Sequence, residues 1–188
     1  MEVIGVNHGH ESVRNAVVAY IDRKYPKLEN ILVELYPNLE PMREAGINIS
    51  PWFSALAEIY DRKEVVVITA DINRFRSLSL TVYEARSMIL QNPLKYLLLE
   101  RWNLWKAVYF RGKFFEERSE GLYQVMETEH PELCVVGGIH AMHIKQKKPD
   151  VTFTLFEVQE KKRISALERR MIQMADDVNY VEPDKKSK

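Results

Sequence analysis

Apolar and polar positions alternate along this chain in two distinct rhythms. "VIGV" (Val3–Val6) is a short apolar run closed by Asn7, His8 and Gly9, and it predicts a first β-strand. In "ESVRNAVVAYIDRKYP" the apolar positions Val13, Ala16, Val17, Tyr20 and Ile21 fall at i, i+3, i+4, i+7 and i+8, one face of a helix that Pro26 stops. "NILVELYP" follows as a second strand, and strand, helix, strand favours a parallel pair with a right-handed crossover. "EVVVITAD" is a third strand, apolar at nearly every position and therefore expected to be covered on both faces. Between Ser79 and Glu129 the rhythm is helical, broken by Pro93 and around Gly112 into about three helices. "ELCVVGG" and "DVTFTLFEV" are the remaining strands. "EKKRISALERRMIQMADDV" is a closing helix, apolar at Ile164, Leu167, Met171 and Met174. The expected fold is a single α/β domain over residues 1–180 with a mixed, mostly parallel central sheet and helices on both faces. A helical insertion occupies residues 79–129, and residues 181–188 form a flexible basic tail.

Two strands end in the same device. "GVNH" (Gly5–His8) and "GGIH" (Gly137–His140) are both Gly-x-x-His, each following an apolar run. In open α/β sheets ligands sit at the carboxyl ends of strands, where loops converge and helix N-termini add positive potential. A glycine there permits a sharp turn or close approach, and a histidine three residues on supplies a ligand nitrogen or a general base. The strands near residues 2–6 and 132–137 are accordingly expected to end on the same side. Glu34 adds to the pattern. With period-2 alternation Ile31, Val33 and Leu35 share one face, which leaves Leu32 and Glu34 on the other. A carboxylate inside a buried strand is costly unless paired or bound to a cation. It is expected beside His8.

Composition narrows the classes. The chain has 188 residues, 46% apolar and 29% charged, which is ordinary for a globular domain with core enough to fold alone. Lys+Arg and Asp+Glu number 27 each, so net charge gives no reason to expect a nucleic-acid partner. Cys134, the single cysteine, lies in "LCVVGG" and reads as a buried small hydrophobe. With no disulfide framework, no basic leader and no stretch of roughly 18–20 apolar residues, the expectation is a soluble, cytoplasmic protein with no membrane partner.

Taken in order, these segments resemble the TraB/PrgY family of the Tiki-like superfamily, which also includes the erythromycin-esterase and ChaN-like proteins. "GVNHGHESV" is similar to that family's first Gly-x-x-His strand and following helix, "ILVELYPN" to its strand carrying the glutamate, and "VVVITADINRF" to its segment with an aspartate and an arginine. "FFEERSEGLYQVM" resembles its Glu-Arg helix, and "VVGGIHAMH" its second Gly-x-x-His motif. Ser119 follows Arg118 where the family commonly has asparagine, and Asp71 and Arg74 are spaced more widely than its Asp-Arg pair. The resemblance implies a metal-dependent hydrolase or peptidase. His8, Glu34 and His140 would be the ligands of a divalent ion, zinc or manganese, leaving an open position for water that attacks an ester or amide carbonyl of a peptide or small-molecule substrate. Arg74 or Arg118 would stabilise the developing oxyanion. His10, His143 and Asp71 are candidates for an outer shell around these ligands, and the two histidines also for a further ligand or an acid.

Each residue also has an ordinary structural role. A histidine at a strand end commonly faces solvent or caps a helix, and Glu34 has an alternative in an ion pair with Arg74 or Arg118. Leu98, Trp102, Trp105 and Tyr109 lie at helical spacing, which suits core packing or the interface of a homo-oligomer as well as a hydrophobic substrate groove. Two functions other than a metallohydrolase use the same crevice. One is a metal-free, esterase-like hydrolase with a histidine general base; the other is a non-catalytic binder of a peptide or small ligand.

Overall fold

Among the described residues six strands form one sheet in the order β3-β2-β4-β1-β5-β6, and every pair of neighbours is parallel. They are β1 (Glu2–Val6), β2 (Asn30–Val33), β3 (Val66–Thr69), β4 (Leu133–Gly137), β5 (Thr152–Val158) and β6 (Asp177–Val181). Among the described residues the helices are α1 (Glu11–Lys24), α2 (Pro51–Asp61), α3 (residues 118–129), α4 (Gly138–Lys147) and α5 (Ala166–Met174). This computed structural model describes residues 1–6, 10–34, 51–69, 116, 118–159 and 165–184. Two compact units divide the chain: Met1–Leu35, Ser50–Ala70 and Leu122–Lys188 form the first, Tyr36–Ile49 with Asp71–Gly121 the second. The sheet belongs to the first.

The topology follows from short parallel connections. From β1 the chain steps through α1 and α2 towards the β3 edge; from β4 it steps through α4 and α5 towards the β6 edge. Connections of one hand that step towards opposite edges must run on opposite faces. They do. Val13, Val17 and Ile21 of α1 and Trp52, Phe53, Leu56 and Tyr60 of α2 join Ile4, Val6, Ile31, Val33, Leu133, Val135, Phe156 and Val158 in one core. The other face is closed by α4 and α5, with Gly5 against Ala141 and Gly138, and Gly138 against Met171 and Leu155. On α3, Glu127 pairs with Lys148 at 2.6 Å and Tyr123 lies under the Lys147 ammonium at 5.1 Å, beside the end of α4. Covered on both faces, β1 and β4 are buried throughout, and each large apolar side chain there contributes about 1.5–3 kcal/mol.

The α/β class with a largely parallel sheet is as expected, and α1 buries the face that its spacing predicts. Several elements differ. Among the described residues β3 is an edge strand, and Val66 is 63% exposed, so its continuous apolar run does not mark two covered faces. The closing helix ends at Met174, and Asp177–Val181 forms a sixth strand beside β5. That helix starts where the chain supplies a capping box: Ser165 Oγ accepts from the Glu168 amide and the Glu168 carboxylate accepts from the Ser165 amide. The tail boundary expected at 181 therefore falls inside β6, while the basic residues 185–188 lie outside the described residues. Most of the helical insertion at 79–129 also lies outside them. Its final stretch, α3, is helical as expected.

Gly5 sits within β1 rather than at a turn, and its role is proximity. A Cβ there would stand 2.7 Å from Phe153 Cε2, 2.9 Å from Ala141 Cβ and 3.2 Å from Gly138 Cα. Only a residue without a side chain lets α4 lie this close to β1. At the start of the same strand Glu2 is buried on the opposite face, where it accepts hydrogen bonds from Tyr20 at 2.7 Å and from Tyr25 and Thr154, with Lys24 Nζ at 3.0 Å. Burial pushes its pKa up, but the hydrogen bonds from Thr154, Tyr25, Tyr20 and Lys24 outweigh that effect and hold the carboxyl below 4.5.

Two outcomes follow from these contacts. Gly5→Ala should lower stability in urea by about 1–3 kcal/mol, because Ala141 and the α4 backbone cannot yield as a flexible side chain would. Glu2→Gln should cost on the order of 2–3 kcal/mol near neutral pH. Since the folded pKa of Glu2 is depressed, its stabilisation is present above its unfolded value and is lost as pH falls through the folded one. The urea midpoint of the parent should therefore drop as pH falls below 4.5, and drop less steeply in Glu2→Gln.

Candidate functional site

At the carboxyl edge of the sheet, β1 and β4 lie side by side with Val6 opposite Gly137. The two Gly-x-x-His strands thus end on the same side, as expected. This is also the switch point of the topology, where connections depart towards opposite edges. Glu34 follows β2 directly and extends its ladder, its amide donating to the Val135 carbonyl at 3.1 Å. Alternation along β2 turns Ile31 and Val33 into the α1/α2 core and Glu34 to the other face, as predicted.

What Glu34 meets there is the start of α4. Strand β4 passes into α4 with no intervening loop, Gly137 being the last strand residue and the N-cap. A glycine has no side chain with which to cap. Instead the Gly137 amide donates to Glu34 Oε2 at 2.6 Å, across the width of one strand spacing. A carboxylate is thereby held at the positive end of a helix, an arrangement typically worth about 0.3–2 kcal/mol. The other oxygen, Oε1, lies 3.6 Å from His140 Nε2, and both residues are only 3% exposed. His140 belongs to the first turn of α4 rather than to a strand end, so its position is set by the same helix that Glu34 anchors.

The pair suits a shared cation by distance. Two ligand atoms each about 2.0–2.1 Å from a tetrahedral ion stand roughly 3.3–3.4 Å apart, close to the observed separation. It equally suits a direct carboxylate–imidazole pairing. Cys134, on the same face of β4, is not available as a third donor: burial, then the charge of Glu34, push its thiol far up, and the residue behaves as a buried hydrophobe.

His8, Asp71 and Arg74 lie outside the described residues, and the expected neighbourhood of Glu34 and His8 with them. His10 is the N-cap residue of α1, with Nδ1 at 3.8 Å from Asp184. His143 lies one turn beyond His140 on α4 and is half-buried. Neither joins Glu34 and His140, for among the described residues no three His, Cys, Asp or Glu side chains form a group able to hold a metal. Arg118 and the buried Ser119 lie in α3, in the second unit. A further buried carboxylate carries a signal in the sequence. Glu157 is 9% exposed at the end of β5, one position beyond Phe156, which faces Val6 across the ladder. Its signal was an acidic residue inside the otherwise apolar "TLFEV", the same signal that marked Glu34.

Among the described residues no helix is long and apolar enough to cross a membrane. No protein-family model, no curated protein and no solved structure matches the chain.

Proposed function

We propose that the chain is a metal-dependent hydrolase or peptidase of the TraB/PrgY type, in which Glu34, His140 and His8 hold a divalent ion, zinc or manganese. What carries this reading is the buried approach of Glu34 Oε1 to His140 Nε2 at 3.6 Å, with the second carboxylate oxygen tied to the Gly137 amide. Support for His8 as the third ligand is its place in the sequence, two residues beyond Val6, which stands opposite Gly137. Two imidazoles and a carboxylate suit borderline metals better than calcium or magnesium, which prefer oxygen shells. An ion held there supplies Lewis acidity and activates water for attack on an ester or amide carbonyl.

The chain's own groups have separable tasks in this scheme. The Gly137 amide fixes one oxygen of Glu34 and so aims the other. The first turn of α4 orients the imidazole of His140. The helix start offers positive potential to a carbonyl oxygen as it gains charge. The substrate is a peptide or small molecule. A single buried cysteine suits a reducing, cytoplasmic setting.

A second reading rests on the same contact. A carboxylate directly facing an imidazole is also the arrangement of a metal-free general base, the carboxylate holding the ring while the histidine takes a proton from water.

Calorimetric titration of the purified chain with zinc and manganese separates the two. Uptake should be saturable, and His140→Ala should weaken it by about 100-fold or more, with a comparable loss in Glu34→Gln. Ester or peptide hydrolysis should vanish on chelation and return with the metal. Equal affinity in the parent and both variants overturns the metal reading; hydrolysis undiminished by chelator but lost in His140→Ala puts the general base in its place.

A further inference from the structure

The two Gly-x-x-His segments meet through a glycine and a helix. Gly5 lies in β1 against the first turn of α4, and a Cβ there would stand 2.9 Å from Ala141 Cβ and 3.2 Å from Gly138 Cα. Those two residues bracket His140 on the helix. Neither can yield alone, since one contact is a backbone atom and the other is a methyl carried rigidly by the backbone. Phe153 Cε2, at 2.7 Å, is the end of a ring and can swing, although the amide of that residue is pinned to Asp176 Oδ2 at 2.7 Å. The far end of α4 is fixed as well. There Lys145 Nζ donates to the Val151 carbonyl at 2.8 Å and to Asp176 Oδ2 at 2.9 Å. A methyl added at Gly5 is therefore answered by the first turn of α4, which lifts from β1 and carries His140 with it. Glu34 does not follow, because its amide is held in the sheet by the Val135 carbonyl at 3.1 Å.

We infer that Gly5 is a positioning residue: the glycine of the first Gly-x-x-His segment serves the histidine of the second, by setting how closely α4 seats on β1 and so where His140 stands against Glu34. What it sets is the 3.6 Å separation of His140 Nε2 and Glu34 Oε1, together with the 2.6 Å bond from the Gly137 amide to Glu34 Oε2. Ligand distances at a metal are met to within about 0.2 Å, so a small tilt of α4 that the fold survives is large for an ion shared by these two side chains. The contact is reciprocal. Ala141 is fully buried, and a larger side chain there crowds Gly5 from the helix side. The zinc consequence rests on the site proposed above; the placement of His140 against Glu34 does not.

Resonances of the folded, full-length chain and zinc titration test the role. In Gly5→Ala the Gly137 amide proton should move upfield as its bond to Glu34 lengthens, the His140 Nε2 resonance should shift, and zinc affinity should fall about tenfold. Gly5→Ala/Ala141→Gly, which restores the space from the helix side, should bring back the Gly137 resonance and most of the affinity. Val17→Ala, a cavity in the core on the opposite face of the sheet, should lower the urea midpoint and leave Gly137, His140 and zinc affinity at the parent level. Gly5→Ala that loses stability as Val17→Ala does, with those three readouts unmoved, overturns the positioning role, and so does a double variant that recovers neither signal. Should Gly5→Ala fail to fold, Ala141→Val is read for the same Gly137 shift and zinc affinity, and parent values there overturn the role. A parent chain without His140-dependent zinc uptake overturns the metal reading, and the Gly137 amide then decides the positioning role by itself.

Discussion

The hydrogen bond from the Gly137 amide to Glu34 joins three elements that are far apart in sequence. It crosses from the end of β2 to the end of β4 and fastens the start of α4. Buried without a partner, either group would cost free energy; together they give a carboxylate a donor and a side-chain-free N-cap an acceptor. The close seat of α4 on β1, which only Gly5 permits, completes the constraint. From these contacts His140 inherits its position, and with it the direction in which its Nε2 faces.

A chemical consequence of that constraint is division of labour within one side chain. Glu34 Oε2 is structural, while Oε1 is aimed at His140. The ordinary role of a buried carboxylate, satisfying a helix start, and the proposed one, holding a cation or orienting an imidazole, therefore belong to different oxygens. The Glu2 cluster at the other end of β1 shows the contrasting case. There three hydroxyls and an ammonium converge on a carboxylate, and the arrangement fastens α1 to the sheet.

Much of this was legible before the structure. Period-2 alternation sorted Glu34 from Ile31 and Val33, and paired glycine–histidine punctuation placed the ends of β1 and β4 together, because both signals are local and geometric. What the local signals could not carry was the identity of neighbours. Gly5 reads in sequence as a place for a sharp turn or a ligand's close approach but is a packing residue, since the helix that needs its space begins 133 positions later. His140 reads as a strand-end residue and is helical, because β4 runs into α4 without a loop. α2 begins at Pro51, with Trp52, Leu56 and Tyr60 at helical spacing, a pattern present in the sequence but not singled out. β6 alternates in "DVNYV" yet follows a strong helix signal, and the helix pattern absorbed it.

The central proposal is that a divalent cation meets Glu34 and His140 as one unit. Nuclear magnetic resonance of the isotope-labelled chain during zinc addition tests it most directly. The account predicts a stoichiometric, saturable shift of the His140 Nε2 resonance together with that of the Gly137 amide, while the exposed His130 stays unperturbed. Saturating zinc that leaves His140 and Gly137 unchanged, or that perturbs His130 alone, would contradict it.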